Sequence, residues 1–229
     1  MLEWWTYSFS DFLLFSPRTY YRLFELYNRA IWPAHLLALA LGIGILLLLR
    51  RSSAMRSRLI TAVLALCWLW VAWAFHFKRY ATINWTALYA AVAFAIEASA
   101  LLWVGVVRGR LIYAPGRDLQ SWAGLLLLLF ALAVHPLVGI LAGRDWSQAE
   151  IFGLAPDPTV VGTLGLLLLS RDRSHFALML IPFVWCAITW ATLHALTASE
   201  AWAIALATVT ALLAALYSAV ENKLITRSR

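Results

Sequence analysis

Along the chain, long apolar runs alternate with short charged clusters. A helix needs about 20 mostly apolar residues to cross a bilayer. Seven runs qualify as candidates: residues 31–49, 59–77, 83–107, 120–142, 158–170, 175–196 and 201–220. They are continuous rather than alternating, which argues against the strands of a membrane β-barrel. The fifth is short: thirteen residues at 1.5 Å each reach about 20 Å, against a hydrocarbon core of about 30 Å. The pattern predicts an all-α polytopic membrane protein of about seven transmembrane helices. It divides into an interfacial segment (1–30), one membrane domain (31–221) and a cytoplasmic tail (222–229).

Before the first run the period changes. Tyr20, Leu23, Phe24 and Tyr27 recur at i, i+3, i+4 and i+7, while Arg18, Arg22, Glu25 and Arg29 fall elsewhere on the helix. Ser16 suits an N-cap and Pro17 the first helical position. An amphipathic helix lying at the outer membrane surface is expected here. Residues 1–30 lack a basic stretch followed by an apolar core, so no cleaved signal is expected and the first span inserts uncleaved.

Composition agrees. The chain has 229 residues, of which 63% are hydrophobic and 13% charged. A soluble domain carries about 25% charged residues. Net charge is +7, but the positive residues are spread over loops. That points to topology and lipid headgroups, not to nucleic acid. With Arg50, Arg51, Arg56 and Arg58 placed inside, seven spans also bring Arg108, Arg110, Arg117, Arg171, Arg173, Lys223, Arg227 and Arg229 inside, leaving Arg18, Arg22, Arg29, Lys78, Arg79 and Arg144 outside. The positive-inside rule therefore favours an outer N-terminus and an inner C-terminus.

Ionisable residues inside spans are costly and mark candidate sites. By depth, His35, His76, His135, His194, Asn84 and Asp157 share the outer leaflet, and His175 lies at the inner side. Trp32, Trp73 and Trp190 precede His35, His76 and His194 by three or four residues. Residues so spaced share a helix face. If those faces converge, they form an outward-facing polar pocket walled by the three tryptophans. The opposing expectation is an aromatic belt at the interface, with no site.

Asp157 lies between Pro156 and Pro158. It suits an N-cap of the fifth span, with Pro158 first in the helix. Because that span is short, residues 146–157 are expected to dip inward as irregular backbone, bringing Asp157 to the histidines. Imidazole plus carboxylate suits a transition metal, with His76, His135 and Asp157 the candidate ligands. Two facing histidines could instead hold a haem. Glu97, in the inner half of its span, is a candidate for a proton path. Cys67 and Cys186 sit in apolar runs without metal-ligand spacing and read as packed small hydrophobes. No nucleophile–base set is visible, so an enzyme is the least expected reading.

Four stretches together carry a resemblance: YNRAIWPAH (27–35), HFKRYATINW (76–85), VHPLVGILAG (134–143) and FGLAPDPT (152–159). From about residue 24 to 196 the chain resembles an uncharacterised bacterial family of multi-spanning membrane proteins, sometimes loosely labelled permeases. In that family's pattern the position of Asp157 is commonly Cys and that of Trp85 commonly Pro. The resemblance implies the membrane fold and leaves the activity open. A thiolate-specific metal role is not expected at Asp157.

Three functions are carried forward. The first is a permease or binding protein for a small solute or metal ion, using the outer pocket. The second is a haem- or quinone-binding subunit of a larger membrane complex. The third is an intramembrane enzyme, and a purely structural subunit with no ligand stays open beside all three.

Overall fold

The computed structural model describes residues 15–170, 172 and 175–227. The first fourteen residues of the interfacial segment, the basic pair Arg171 and Arg173, and the last two residues of the tail lie outside the described residues. Among the described residues there are eight helices, with π-helical and 3₁₀ turns running on from some of them, and no β-strand. They are α1 (Pro17–Ile31), α2 (Ala34–Leu49), α3 (Ala54–Thr82), α4 (Ala87–Val107), α5 (Leu119–Leu141), α6 (Pro156–Leu168), α7 (His175–Ala195) and α8 (Ala201–Arg227).

The long apolar runs set the frame. Helices α3, α4, α5, α7 and α8 are each long and apolar enough to cross a membrane. The other two expected spans are shorter, with 16 residues in α2 and 13 in α6. Helix α1 begins as the sequence suggests. Ser16 caps it, its side chain accepting from the Thr19 amide, and Tyr20, Leu23, Phe24 and Tyr27 form its buried face. It meets α2 at 89°, so it lies across the end of the bundle that α2 runs along.

The short helix is the centre of the fold. α6 packs against α3, α5, α7 and α8, and every one of its residues is buried. Its composition allows this. Gly165 faces Gly124 of α5 so closely that a Cβ on either would lie 2.7 Å from the other's carbonyl oxygen. Small residues permit such backbone contact where no water competes. Thr159 and Thr163 return their hydroxyls to the carbonyls of Ala155 and Thr159, and Thr163 also accepts from the Trp68 indole at 2.8 Å.

The C-terminal end of α6 is closed by polar partners. The Gln120 amide donates to the Leu168 carbonyl at 2.7 Å, and the Ala114 amide to that of Leu169 at 3.1 Å. Tyr113 holds this strap: its amide donates to Ser57 Oγ at 3.1 Å, and its hydroxyl meets Thr61 Oγ1 at 3.0 Å. These bonds satisfy carbonyls that a buried helix end would otherwise leave unpaired.

At the other end the sequence expectation needs correction. The N-cap of α6 is Ala155, in extended conformation, and Pro156 is the first helical residue. Asp157 is therefore inside the first turn and not the cap. The physical reason is that Pro156, lacking an N–H, tolerates the first helical position.

Candidate functional site

The site forms where three polypeptide segments meet at the N-terminal end of α6. The first is the late part of α5. A proline inside a helix clashes with the carbonyl four residues back. Pro136 is tolerated because the helix widens just before it into a π-helical stretch, Phe130–Val134, whose last bond runs from the His135 amide to the Phe130 carbonyl. Such π segments are commonly found at functional sites. His135 follows directly and keeps partial exposure, with Nδ1 buried and unpartnered.

The second segment is the loop from Ala142 to Ala155. Gly143, at φ +89°, turns the chain out of α5. Arg144 then folds back across Gly139, where a Cβ would lie 2.9 Å from its Nη1. A short 3₁₀ turn, Trp146–Gln148, follows, capped by Asp145 accepting from the Ser147 amide at 2.8 Å. Hydrogen bonding from the Ser147 hydroxyl, and then from its amide, holds the exposed Asp145 carboxyl below its ordinary pKa. α1 pins the loop from outside. Asn28 Nδ2 donates to the carbonyls of Ser147 (2.8 Å) and Ala149 (2.9 Å), and the Tyr27 hydroxyl donates to that of Leu154 (2.8 Å). Glu150 is delivered to the interior, 7% exposed, with Oε2 unpartnered.

The third segment is α6 itself. Asp157 is buried, and its Oδ1 accepts from Trp185 Nε1 at 2.8 Å and from Thr189 Oγ1 at 2.9 Å. These donors sit at i and i+4, on one face of α7. A carboxylate in the first turn also meets the positive end of the helix dipole.

His135, Glu150 and Asp157 each offer one ligand atom, and these atoms lie within 4.8 Å of one another. They line a small cavity of about 20 Å³. That volume holds about one water molecule, or one ion. Ligand atoms 2.1 Å from a common tetrahedral metal would be about 3.4 Å apart. The cluster would thus close on an ion with inward shifts on the order of 1 Å. Among the described residues, this is the one group of three His, Cys, Asp or Glu side chains so placed.

Arg144 forms the wall between this cavity and an open vestibule of about 980 Å³ lined by Arg18, Arg22, Glu25, Asp145 and Glu200. Its Nη1 lies 2.9 Å from Glu150 and 3.6 Å from Glu200. Burial opposes the guanidinium charge, but Glu150 chiefly, with Glu200, outweighs it, and the pKa of Arg144 is raised. The charge is therefore permanent.

The structure brings only part of the sequence-selected set together. His135 and Asp157 meet, joined by Glu150. His76 is fully buried but lies apart, its ring 4.5 Å from Phe94 and 4.8 Å from Trp185, with both nitrogens unpartnered. His35 faces Asn28, 3.3 Å from its Oδ1, and so backs up the residue that pins the loop. Asn84 accepts from the Thr86 amide at 3.1 Å and lines a separate groove between α4 and α7. His194 is exposed and stacks on Trp190. Trp32, Trp73 and Trp190 are 65%, 58% and 45% exposed, pointing outward rather than walling the cavity. Glu97 is buried in α4 with Oε1 unpartnered.

Sequence reasoning missed Glu150 as a member of the cluster, Arg144 and Glu200 as the charges beside it, and Trp185 with Thr189 as the donors to Asp157. The Trp185–Thr189 spacing is the same i, i+4 signal that singled out Trp190 and His194.

A family model described as a family of unknown function (DUF6064) matches residues 18–226, and the chain belongs to that family. Neither a curated protein nor a solved structure matches the chain.

Proposed function

We propose that this member of the DUF6064 family binds one divalent transition-metal ion, held by His135, Glu150 and Asp157 at the N-terminal end of α6. The observation that carries this is the clustering of three ligand atoms within 4.8 Å around a cavity of ion size. His135 Nδ1 and Glu150 Oε2 are buried there without partners, a costly arrangement unless something binds them. One imidazole and two carboxylates suit Mn²⁺, Fe²⁺ or Zn²⁺.

Size separates an ion from an organic ligand as the occupant of the cluster cavity. An organic ligand needs a pocket of about 300 Å³ or more. The cavity at the cluster has about 20 Å³. On the orientation favoured by the loop charges, the vestibule opens to the outside of a bacterial inner membrane, and the ion enters from there. Toward the other face α6 is buried along its whole length and meets α5 backbone to backbone at Gly124 and Gly165. We therefore assign ion binding and no open channel.

X-ray absorption on protein loaded with Mn²⁺ or Zn²⁺ tests the assignment. It predicts a nitrogen and oxygen shell with imidazole scattering that disappears in His135→Ala. Sulfur in the shell, or a spectrum unchanged by the substitution, would count against it.

A further inference from the structure

Arg144 is out of place beside a cation site, and its surroundings give it a use. The side chain is 9% exposed. Nη1 pairs with Glu150, Nη2 donates to the Gln148 carbonyl at 2.7 Å, and Nε has no partner. The guanidinium lies over the Tyr21 ring at 4.5 Å and near that of Phe24 at 5.6 Å. Tyr21 donates its hydroxyl to Glu200 Oε1 at 2.9 Å, the same oxygen that lies 3.6 Å from Arg144 Nη1.

Two carboxylates thus share one guanidinium unequally. Glu150 holds it at full contact and also belongs to the ion cluster. Glu200 stands as a second acceptor, already fixed in place by Tyr21. Charge-assisted contacts settle at about 2.8 Å, so a shift on the order of 1 Å would carry Arg144 from one to the other. Gly139 leaves room for the side chain to lie flat along this path.

Resting on the metal-binding assignment above, we propose that Arg144 is a tethered competitor that makes the site selective for divalent over monovalent cations. An incoming ion must outmatch the guanidinium for Glu150, and Arg144 then passes to Glu200. A dication gains about twice the Coulomb attraction of a monocation at the same distance. K⁺ or Na⁺ therefore offers the carboxylate no more charge than the arginine it would displace.

The test is equilibrium dialysis of Mn²⁺ and Zn²⁺ with the detergent-purified full chain, in potassium chloride and in choline chloride at equal ionic strength. Wild-type affinity is expected to be the same in both salts. Arg144→Gln is expected to bind at least tenfold more tightly in choline chloride and to be weakened by K⁺. Glu200→Gln, although it removes no ligand, is expected to bind at least tenfold more weakly, because the displaced guanidinium loses its acceptor. Should Arg144→Gln fail to fold, judged by gel filtration, the Glu200→Gln result carries the test. Wild-type binding with neither variant changed would overturn the competitor role and leave the metal site standing. Failure of wild type and Arg144→Gln to bind either ion would overturn both.

Discussion

The two ends of α6 are both buried and both polar, yet they differ in how their polarity is used. At the C-terminal end, Gln120, Ala114, Tyr113, Ser57 and Thr61 pair with carbonyls and with each other, and among the described residues there Ser170 Oγ and His175 Nε2 lack partners, with no cavity of the site between them. At the N-terminal end, Glu150 Oε2, His135 Nδ1 and Arg144 Nε lack partners, and a cavity lies between them. Polar groups taken from water must be paired or they destabilise the fold. One end is a closed structural clasp. The other keeps free bonding capacity together with room, and that combination marks a site where buried polarity alone does not.

The sharpest way to break the comparison is at the packed half. Gly165→Leu would drive a side chain into the Gly124 carbonyl and the Leu128 amide nitrogen, which cannot yield as a flexible side chain would. A loss of about 3 kcal/mol or more is expected, seen as aggregation on gel filtration. Next comes Asp157→Asn, which keeps an acceptor for Trp185 and Thr189 but removes the charge. Mn²⁺ affinity by equilibrium dialysis is expected to fall about 100-fold, with little change in thermal midpoint; loss of folding instead would make Asp157 structural. Trp185→Phe removes one donor to Asp157, and supporting bonds of this kind are worth about tenfold in metal affinity. Gln120→Leu is the mirror test at the clasp. It is expected to cost about 1 kcal/mol in thermal unfolding and to leave Mn²⁺ affinity unchanged. Trp190→Phe, on an outward face, is expected to alter affinity by less than about twofold, well under the 1.4 kcal/mol of a tenfold change.

Much of the architecture was legible because membrane spans leave long apolar runs and an amphipathic helix leaves a periodic stripe. Ser16, Pro17 and the Tyr20–Leu23–Phe24–Tyr27 stripe predicted α1, and the structure buries that stripe. The length of the fifth apolar run, together with Asp157 between prolines, pointed to a short element with a carboxylate at its start. The site was only partly legible, for local reasons. The i, i+3 rule assumes α-helical turns. Trp73 and His76 lie in the π-helical stretch Val71–Phe77, so they do not share a face: one is 58% exposed, the other 0%. Trp32 sits in the break before α2; its ring does meet that of His35, at 5.9 Å, but the pair stands on the outer surface and not at the cavity. Glu150 reaches the cavity through the turn at Gly143 and the bonds from Asn28, and both depend on contacts remote in sequence.

The central claim is that the N-terminal end of α6 holds an ion, and metal stoichiometry tests it most directly. The detergent-purified chain, equilibrated with Mn²⁺ or Zn²⁺ and desalted, would be measured by elemental mass spectrometry beside Asp157→Asn. The account predicts close to one ion per wild-type chain and a large fall in the variant. Wild-type protein without metal, or equal metal in both, would contradict it.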